Sequence, residues 1–330
     1  MENGNIIDVE GLVHRYGDFL AVDNISFQVF EGEIFSFLGP NGAGKSTAIN
    51  VLTTLLHIQE GRAVVAGHDV AKNPSKVRES IGIVFQEVTL DRDMTCREIL
   101  EFHGRLYSMN REERRRRIEE LLSLVQLETK KDTLTKHLSG GMKRRLEIAR
   151  GLMTRPRVLF LDEPTIGLDP QTRMKMWDYI KAVNDEGTTI FLTTHYMDEA
   201  DRLSDRISII DHGQIITTGK AYELKNMLGK DLIYLETSDD SATRAILERV
   251  ESVKDIREKT NGLVILVNTD GTRLLPRIME MLGRHGITLE TVNLKKPSMD
   301  DVFVHFTGRE LRDGGEGKTA AAATRGGSRR

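Results

Sequence analysis

The sequence predicts an α/β domain with a parallel sheet, followed by a smaller α+β domain. Three short apolar segments alternate with stretches of helical period, as in a parallel sheet covered by helices; they span 157–161, 188–194 and 206–211. From residue 230 the predicted order is strand, helix, strand, strand, helix, strand, which is the ferredoxin-like pattern. We therefore assign the first domain to 1–229 and the second to 230–308. Two helices on a single sheet should leave one face of that second sheet available.

The first domain opens with strands. Alternating apolar and polar positions predict several strands in 5–38, and a helix is expected from the following glycine-rich loop to about Leu56. Strands return at 61–86, and 95–127 has a helical period. The run REERRRR inside this stretch could be a nucleic-acid patch. The solvated face of a helix is favoured instead, over a buried stripe of Ile118, Leu121, Leu122 and Val125.

Composition excludes several classes of protein and partner. The 330 residues carry a formal net charge of −3, so no overall charge attracts nucleic acid or anionic lipid. Cys96 is the single cysteine, which rules out a disulfide within the chain and fits a reducing compartment. No segment approaches the ~18–20 apolar residues of a membrane-spanning helix, so another chain would have to span any membrane. Residues 309–330, rich in glycine, alanine and arginine, are expected to form a disordered tail.

The segment GPNGAGKST matches the phosphate-loop pattern G-x-x-x-x-G-K-[ST]. An apolar strand precedes it and a helix follows, so its backbone N–H groups can surround a phosphate at a helix N-terminus. Lys45 would add a positive charge for the β- and γ-phosphates, and the Ser46 hydroxyl suits Mg²⁺. The predicted nucleotide-binding residues are Gly39, Pro40, Asn41, Gly42, Ala43, Gly44, Lys45, Ser46 and Thr47.

A carboxylate pair ends the strand in RVLFLDEP. Asp162 is the expected partner of Ser46 for Mg²⁺, and Glu163 would lie beside the γ-phosphate. A carboxylate in that place can polarise an attacking water, a role worth ~10²–10⁴ in rate. An Asp-Glu pair after a strand can also be a helix cap, but the phosphate loop favours hydrolysis.

A second glycine site, LSGGM, opens a basic helix at Ser139. The motifs GPNGAGKST, LSGGM, VLFLDEP and TTH, in this order, resemble the ATP-binding cassette of ABC transporters over about residues 5–228. The resemblance implies a RecA-like P-loop core with an inserted helical subdomain at about 88–155, and ATP with Mg²⁺ as cofactors. It also implies a head-to-tail homodimer, in which Ser139, Gly140 and Gly141 cap the γ-phosphate bound to the other subunit.

The resemblance assigns four further residues. Tyr16 resembles the aromatic residue that stacks on adenine, although a Tyr at a strand edge is the simpler alternative. Gln86 resembles the glutamine that contacts Mg²⁺ or the water, and His195 the histidine that contacts the γ-phosphate. Asp169 resembles an aspartate of the dimer interface, with an ordinary turn residue before Pro170 as its alternative.

The segment SMDDVFVHFTG points to one group of subunits within this family. It is similar to the end of ATP-binding subunits of the daunorubicin/doxorubicin-resistance type. The resemblance implies an ATPase that drives export of a drug, antibiotic or lipid-like substrate through a separate integral-membrane permease. The chain would then work at the cytoplasmic face of the membrane, without nucleic acid. We expect the permease to enter a groove near 86–94, lined by Val88, Leu90 and Met94.

Other ATPases with these motifs fit the chain less well. A DNA-repair ATPase would need a long coiled coil between the two glycine sites, where about ninety residues show no sustained heptads. A translation-type protein would need a second cassette, and the chain contains no second phosphate loop that follows a strand. The transport subunit is therefore the favoured interpretation.

Overall fold

The structure is a computed structural model that describes residues 4–259 and 262–308. The predicted tail at 309–330 lies outside these residues. The described chain forms a parallel core sheet, an antiparallel sheet packed beside it, a group of helices and a C-terminal α+β unit.

The core sheet has the strand order β10–β9–β3–β8–β7–β6. Its strands are β3 (Ile34–Leu38), β6 (Ile81–Val84), β7 (Val158–Asp162), β8 (Thr189–Thr194), β9 (Arg206–Asp211) and β10 (Gln214–Gly219). All neighbours pair in parallel except β9 with β10. Every residue of β3, β7 and β8 is buried, as expected of strands covered on both faces. The alternating α/β pattern of the sequence is thus confirmed.

A second, antiparallel sheet lies beside the core sheet, in the order β2–β1–β4–β5. It comprises β1 (Asn5–Tyr16), β2 (Phe19–Phe30), β4 (Glu60–Val65) and β5 (His68–Asp69). Aromatic side chains fill the space between the sheets: Phe27 stacks on Phe35 at 5.7 Å and meets Phe37 edge-on at 4.9 Å. This packing joins β2 to β3, the strand that leads into the phosphate loop.

Helix α1 (Lys45–Leu52) follows the phosphate loop and is shorter than predicted. It ends four residues before Leu56 because the Thr53 hydroxyl donates to the Ile49 carbonyl and Thr54 turns to a positive φ of 68°. Other helices of the core are α2 (Pro74–Ser80), α6 (Pro170–Asp185), α7 (Met197–Leu203) and α8 (Ala221–Leu228).

The inserted helices are α3 (Cys96–Leu106), α4 (Arg111–Leu124) and α5 (Gly140–Gly151), with 3₁₀ turns at Glu128–Lys130 and Thr135–His137. The predicted stripe on α4 and at its end is buried. The prediction that the charged run REERRRR forms a solvated face is wrong for two of its arginines. Arg114 is buried and pairs with Glu101 at 2.8 Å, and buried Arg117 donates to the Leu152 carbonyl at 2.8 Å.

A groove of about 620 Å³ separates these helices from the core sheet. Its apolar lining includes Leu55, Ile83, Phe85, Met94, Phe102 and Leu106. Of the expected lining, Met94 is confirmed, but Leu90 is only 8% exposed and belongs to the core behind it. Val88 is exposed and is not among the described residues that line the groove. The apolar surface is supplied instead by α3, whose positions Phe102 and Leu106 lie one turn apart.

The C-terminal unit has the sheet order β12–β13–β11–β14 with all pairs antiparallel. Its elements are β11 (Asp231–Thr237), α9 (Asp240–Leu247), β12 (Val253–Lys259), β13 (Gly262–Val267), α10 (Gly271–Arg284), β14 (Leu289–Lys295) and α11 (Met299–Thr307). This order confirms the ferredoxin-like pattern. Helices α9 and α10 cover one face of the sheet.

The expectation that the other face stays available is wrong. Helix α11 packs there, with Val302 and Phe303 against Leu232 and Leu266. The SMDDVFV segment begins this helix, capped by Ser298, whose hydroxyl accepts from the Asp301 N–H. The same cluster includes residues of α7 and α8, so α11 joins the unit to the core.

Within the described residues, no helix combines the length and hydropathy required to cross a bilayer.

Candidate active site

The phosphate loop lies between the end of β3 and the start of α1. Gly42 and Gly44 have positive φ values of 82° and 102°, in the left-handed region that glycine tolerates. A Cβ atom at Gly44 would lie 2.4 Å from the Ala21 carbonyl oxygen. The backbone of β2 therefore presses directly against the loop, and only glycine fits at this position.

Lys45 is the charged group at the centre of the loop. The side chain is 4% exposed, and its Nζ donates to the carbonyls of Gly39 at 2.8 Å and Pro40 at 3.0 Å. Nζ also lies 3.2 Å from Oε1 of Glu163. Burial lowers the pKa of the Lys45 amine, and the Glu163 carboxylate opposes that shift. The loop thus holds a desolvated cation whose present counter-ion is the carboxylate.

Oxygen ligands for a hard cation meet at the end of β7. The Ser46 hydroxyl donates to Asp162 Oδ1 at 3.0 Å, and the Thr193 hydroxyl donates to the same oxygen at 2.5 Å. One carboxylate and two hydroxyls form the kind of donor set that Mg²⁺ prefers. Thr193 was not singled out from the sequence, because a threonine inside TTH is also what an ordinary strand would have.

Glu163 and His195 face each other across the ends of neighbouring strands. His195 Nδ1 lies 3.1 Å from Glu163 Oε2. Burial opposes ionisation of Glu163, but the hydrogen bond from His195 and the charge of Lys45 outweigh it, so the pKa of Glu163 lies below its ordinary value. The carboxylate is therefore ionised at neutral pH and able to accept a proton. Glu163 also has a positive φ of 47°, which is unusual for a residue other than glycine.

A cavity of about 340 Å³ opens above these groups. It brings together half of the predicted site residues, namely Tyr16, Asn41, Gly42, Gly44, Lys45, Ser46, Thr47, Gln86 and Glu163. Phe19 also lines it and was missed. Phe19 pairs with Tyr16 across the tight turn, and these residues are 62% and 50% exposed, which only the structure shows. Two exposed aromatic rings beside a phosphate site can stack on the planar nucleobase of a nucleotide.

Nine predicted residues do not line this cavity. Gly39, Pro40 and Ala43 belong to the phosphate loop itself, Asp162 ends β7 and His195 follows β8. The other four are Ser139, Gly140, Gly141 and Asp169. Ser139 caps α5 by accepting from the Met142 N–H at 3.3 Å. A Cβ atom at Gly141 would lie 2.4 Å from Thr172, and Asp169 holds Thr172 through a 2.6 Å hydrogen bond between side chains. The second glycine site and the Asp169 turn are thus adjacent to each other within the chain.

Comparisons with known proteins agree with this geometry. Residues 22–166 match the family model described as "ABC transporter", and residues 219–307 match "ATP-binding protein DrrA1-3-like, C-terminal domain". The chain is 40% identical to the daunorubicin resistance ATP-binding protein DrrA3 of Streptomyces coeruleorubidus, over 93% of this chain and 97% of that protein. It is 37% identical to the Nod factor export ATP-binding protein I of Ralstonia nicotianae (strain ATCC BAA-1114 / GMI1000), over 93% and 95% of the two chains.

A solved structure shares the fold of the cassette. It is the dimeric post-hydrolysis state of the ATP-binding cassette MJ0796 bound to ADP and phosphate. The TM-score is 0.59 and the identity 29%, over 65% of this chain and 98% of that one. Similarity over nearly the whole length of the named relatives, together with the phosphate loop and its paired carboxylates, identifies the chain. It belongs to the ABC transporter ATP-binding proteins of the daunorubicin/doxorubicin-resistance type, and it is an ATPase that uses ATP and Mg²⁺.

Proposed function

We propose that this chain hydrolyses ATP to drive export through a separate integral-membrane permease. The observation that carries the proposal is Glu163, an ionised carboxylate held between Lys45 and His195 at the mouth of the phosphate loop. The similarity to proteins named for daunorubicin resistance and for Nod factor export supports the transport role. A drug, antibiotic or lipid-like molecule is the proposed cargo.

Each group has a role in this scheme. The loop N–H groups and Lys45 would bind the phosphates, and Tyr16 would stack on the adenine ring. Ser46, Asp162 and Gln86 would hold Mg²⁺, which neutralises phosphate charge when bound. Glu163 would accept a proton from the attacking water, and His195 would orient that carboxylate and contact the γ-phosphate.

The second glycine site is proposed to act on a partner's nucleotide. Ser139, Gly140 and Gly141 lie outside the described cavity of their own chain, and Ser139 stands at the N-terminus of α5. A helix N-terminus favours an anion. In a head-to-tail homodimer these groups would cap the γ-phosphate held by the other subunit, with Asp169 at the same interface.

The permease is proposed to enter the groove beside α3. Its wall carries Phe102 and Leu106, which are 52% and 63% exposed. Burial lowers the pKa of His103, in the same groove, to about 4, so that its imidazole is neutral at physiological pH. An apolar helix of a membrane subunit fits such a surface. The chain would then act at the cytoplasmic face of the membrane. The boundary between its two domains would lie between residues 229 and 230.

The chemistry is tested with two substitutions. Glu163→Gln should slow ATP hydrolysis at least ~100-fold while ATP still binds, because the amide accepts no proton. Lys45→Ala should instead weaken ATP binding itself. Near-normal turnover in Glu163→Gln would remove Glu163 from its role as base.

Coupling is tested separately with Phe102→Asp. The matched control is Met279→Asp, which places the same charge on an apolar position of α10 that is 47% exposed and does not line the groove. Phe102→Asp should abolish co-purification with the permease and cargo export, while ATP hydrolysis by the isolated chain persists. Wild-type export by Phe102→Asp would contradict the proposed docking surface.

A further inference from the structure

Arg144 is a buried arginine on the second turn of α5. The side chain is 4% exposed, and its guanidinium reaches the turn that follows β7. It donates to the carbonyl oxygens of Pro164 at 2.8 Å, Asp162 at 2.9 Å and Glu163 at 3.0 Å. It also donates to the carbonyl of Phe85, the residue before Gln86. One side chain thus donates hydrogen bonds to two backbone segments. One carries the proposed base, Glu163, and the other carries Gln86, the glutamine proposed to contact Mg²⁺.

Glu147 completes this arrangement one turn further along α5. Its side chain is fully buried, and Oε2 accepts from Arg144 at 3.1 Å. Oε1 accepts from the backbone N–H of Thr89 at 2.8 Å, and Arg150 lies 3.8 Å from the same oxygen. The Arg144–Glu147 pair therefore forms hydrogen bonds with the backbone on both sides of Gln86, at Phe85 and at Thr89.

The turn at Glu163 needs such support. A residue other than glycine with a φ of 47° is in a sparsely populated conformation, and it persists only where its surroundings impose it. On one side, the Glu163 N–H donates to the Thr193 carbonyl at 3.1 Å. On the other side, Arg144 donates to the consecutive carbonyls of Asp162, Glu163 and Pro164 and so holds the backbone through the turn. The Glu163 carbonyl also accepts from the Ile166 N–H at 3.2 Å. A planar guanidinium can serve several carbonyls at once, which a lysine ammonium cannot do with the same geometry.

We propose that Arg144 is a positioning residue that fixes the backbone turn of Glu163 and so aims the base, with Glu147 holding the guanidinium in place. This inference rests on the proposed role of Glu163. It assigns two separate tasks to α5. Ser139 at its N-terminus would serve the partner's nucleotide, whereas Arg144 acts on the base of its own chain.

The main test uses Arg144→Lys. This variant keeps the buried charge pair with Glu147 and removes the planar guanidinium that serves several carbonyls at once. We expect kcat for ATP hydrolysis to fall ~10-fold with KM for ATP changed less than ~3-fold, because the base is displaced and the nucleotide pocket is intact. Arg144→Met/Glu147→Met removes both charges and should lower kcat ~100-fold with the same small change in KM. Wild-type kcat in Arg144→Lys would overturn the proposal.

The matched control is Arg145→Met on the same helix. Arg145 donates to the Val125 carbonyl and the Tyr179 hydroxyl, away from the Glu163 turn. This variant should keep the wild-type kcat. A fall in kcat equal to that of Arg144→Lys would show a general effect of disturbing α5, and would also overturn the proposal.

A double-mutant cycle distinguishes positioning of the base from any other effect. If Arg144 acts through Glu163, adding Arg144→Lys to Glu163→Gln should lower the residual hydrolysis no further. An additional ~10-fold fall would mean that Arg144 acts elsewhere. Near-normal turnover of Glu163→Gln alone is a different result, since it would refute the proposed base before Arg144 is considered.

Discussion

Replacing Glu163 with glutamine should destabilise the nucleotide-free protein as well as stop hydrolysis. Lys45 is buried and has Glu163 Oε1 as its counter-ion at 3.2 Å. Removal of one member of a buried ion pair leaves the other charge uncompensated, which typically costs ~3–5 kcal/mol. In this site the loss should be smaller, because Lys45 keeps the carbonyls of Gly39 and Pro40 as acceptors.

The size of the effect follows from the distance. At an effective dielectric constant of ~20, two unit charges at this separation attract by about 5 kcal/mol before desolvation is subtracted. A glutamine Oε1 still accepts a hydrogen bond from Lys45, which retains ~1 kcal/mol. We therefore expect a net loss of ~2 kcal/mol in the free energy of unfolding. At ~2.1 cal/mol/K of unfolding entropy per residue, a loss of this size over 330 residues should lower the melting temperature by about 3 °C.

Thermal unfolding of wild type and Glu163→Gln, without nucleotide and with a non-hydrolysable ATP analogue and Mg²⁺, measures this effect. The analogue should shrink the difference, since phosphate oxygens replace the carboxylate as counter-ions of Lys45. Glu79→Gln, the same change at an exposed position of α2, should leave the melting temperature unchanged. Nucleotide-free Glu163→Gln as stable as wild type would refute the reasoning.

The effect should also depend on pH in a defined direction. The pKa of Glu163 lies below its ordinary value of 4.5, so its ionised form is favoured by folding. The contribution to stability is therefore fully present above about pH 4.5 and is lost as pH falls through the folded-state pKa. The melting temperatures of wild type and Glu163→Gln should converge in acid; a constant difference would contradict the ion-pair account.

Three further predictions concern other parts of the chain. A covalently linked dimer of one Ser139→Arg and one Lys45→Ala subunit should retain one intact composite site and bind one nucleotide; a linked dimer that binds none, like the Lys45→Ala parent, would contradict action in trans. Burial raises the pKa of Glu199, so wild type should lose melting temperature relative to Glu199→Gln as pH rises from 5 to 8, and parallel curves would refute this. Phe303→Ala should cost ~3–5 kcal/mol of unfolding free energy and partly buried Phe306→Ala less, as measured by denaturant unfolding; equal losses would contradict the packing of α11.

Much of the fold could be predicted because local signals and tertiary context agree. β3 is apolar except for Ser36, β7 is apolar up to Asp162, and both are buried strands. The end of α1 could not be predicted as well, because Thr53 and Thr54 are only weak helix breakers by sequence. The helix ends where the Thr53 hydroxyl bonds to the Ile49 carbonyl and Thr54 adopts a positive φ.

Site residues could be predicted from the sequence where residue type and order along the chain identify them. Residues that join the site only through tertiary contacts could not be predicted. The phosphate-loop glycines and Glu163 follow from sequence patterns. Phe19, Thr193 and Arg144 are reached only when β2, β8 and α5 converge on that loop and turn. The arginine in particular sits in a basic run, KRR, which reads as a solvated face until burial shows that one member points inward.

Helix α11 connects the C-terminal unit to the nucleotide-binding part of the chain through one buried cluster. Val302 and Phe303 share one buried cluster with Met197 and Ala200 of α7, the helix that starts two residues after His195. Leu38, the last residue before the phosphate loop, lies in the same cluster. An element of the second unit is therefore packed against segments that lead directly into the ATP site. The C-terminal unit is therefore fixed to the cassette through buried side chains of α11 and is not an independent appendage.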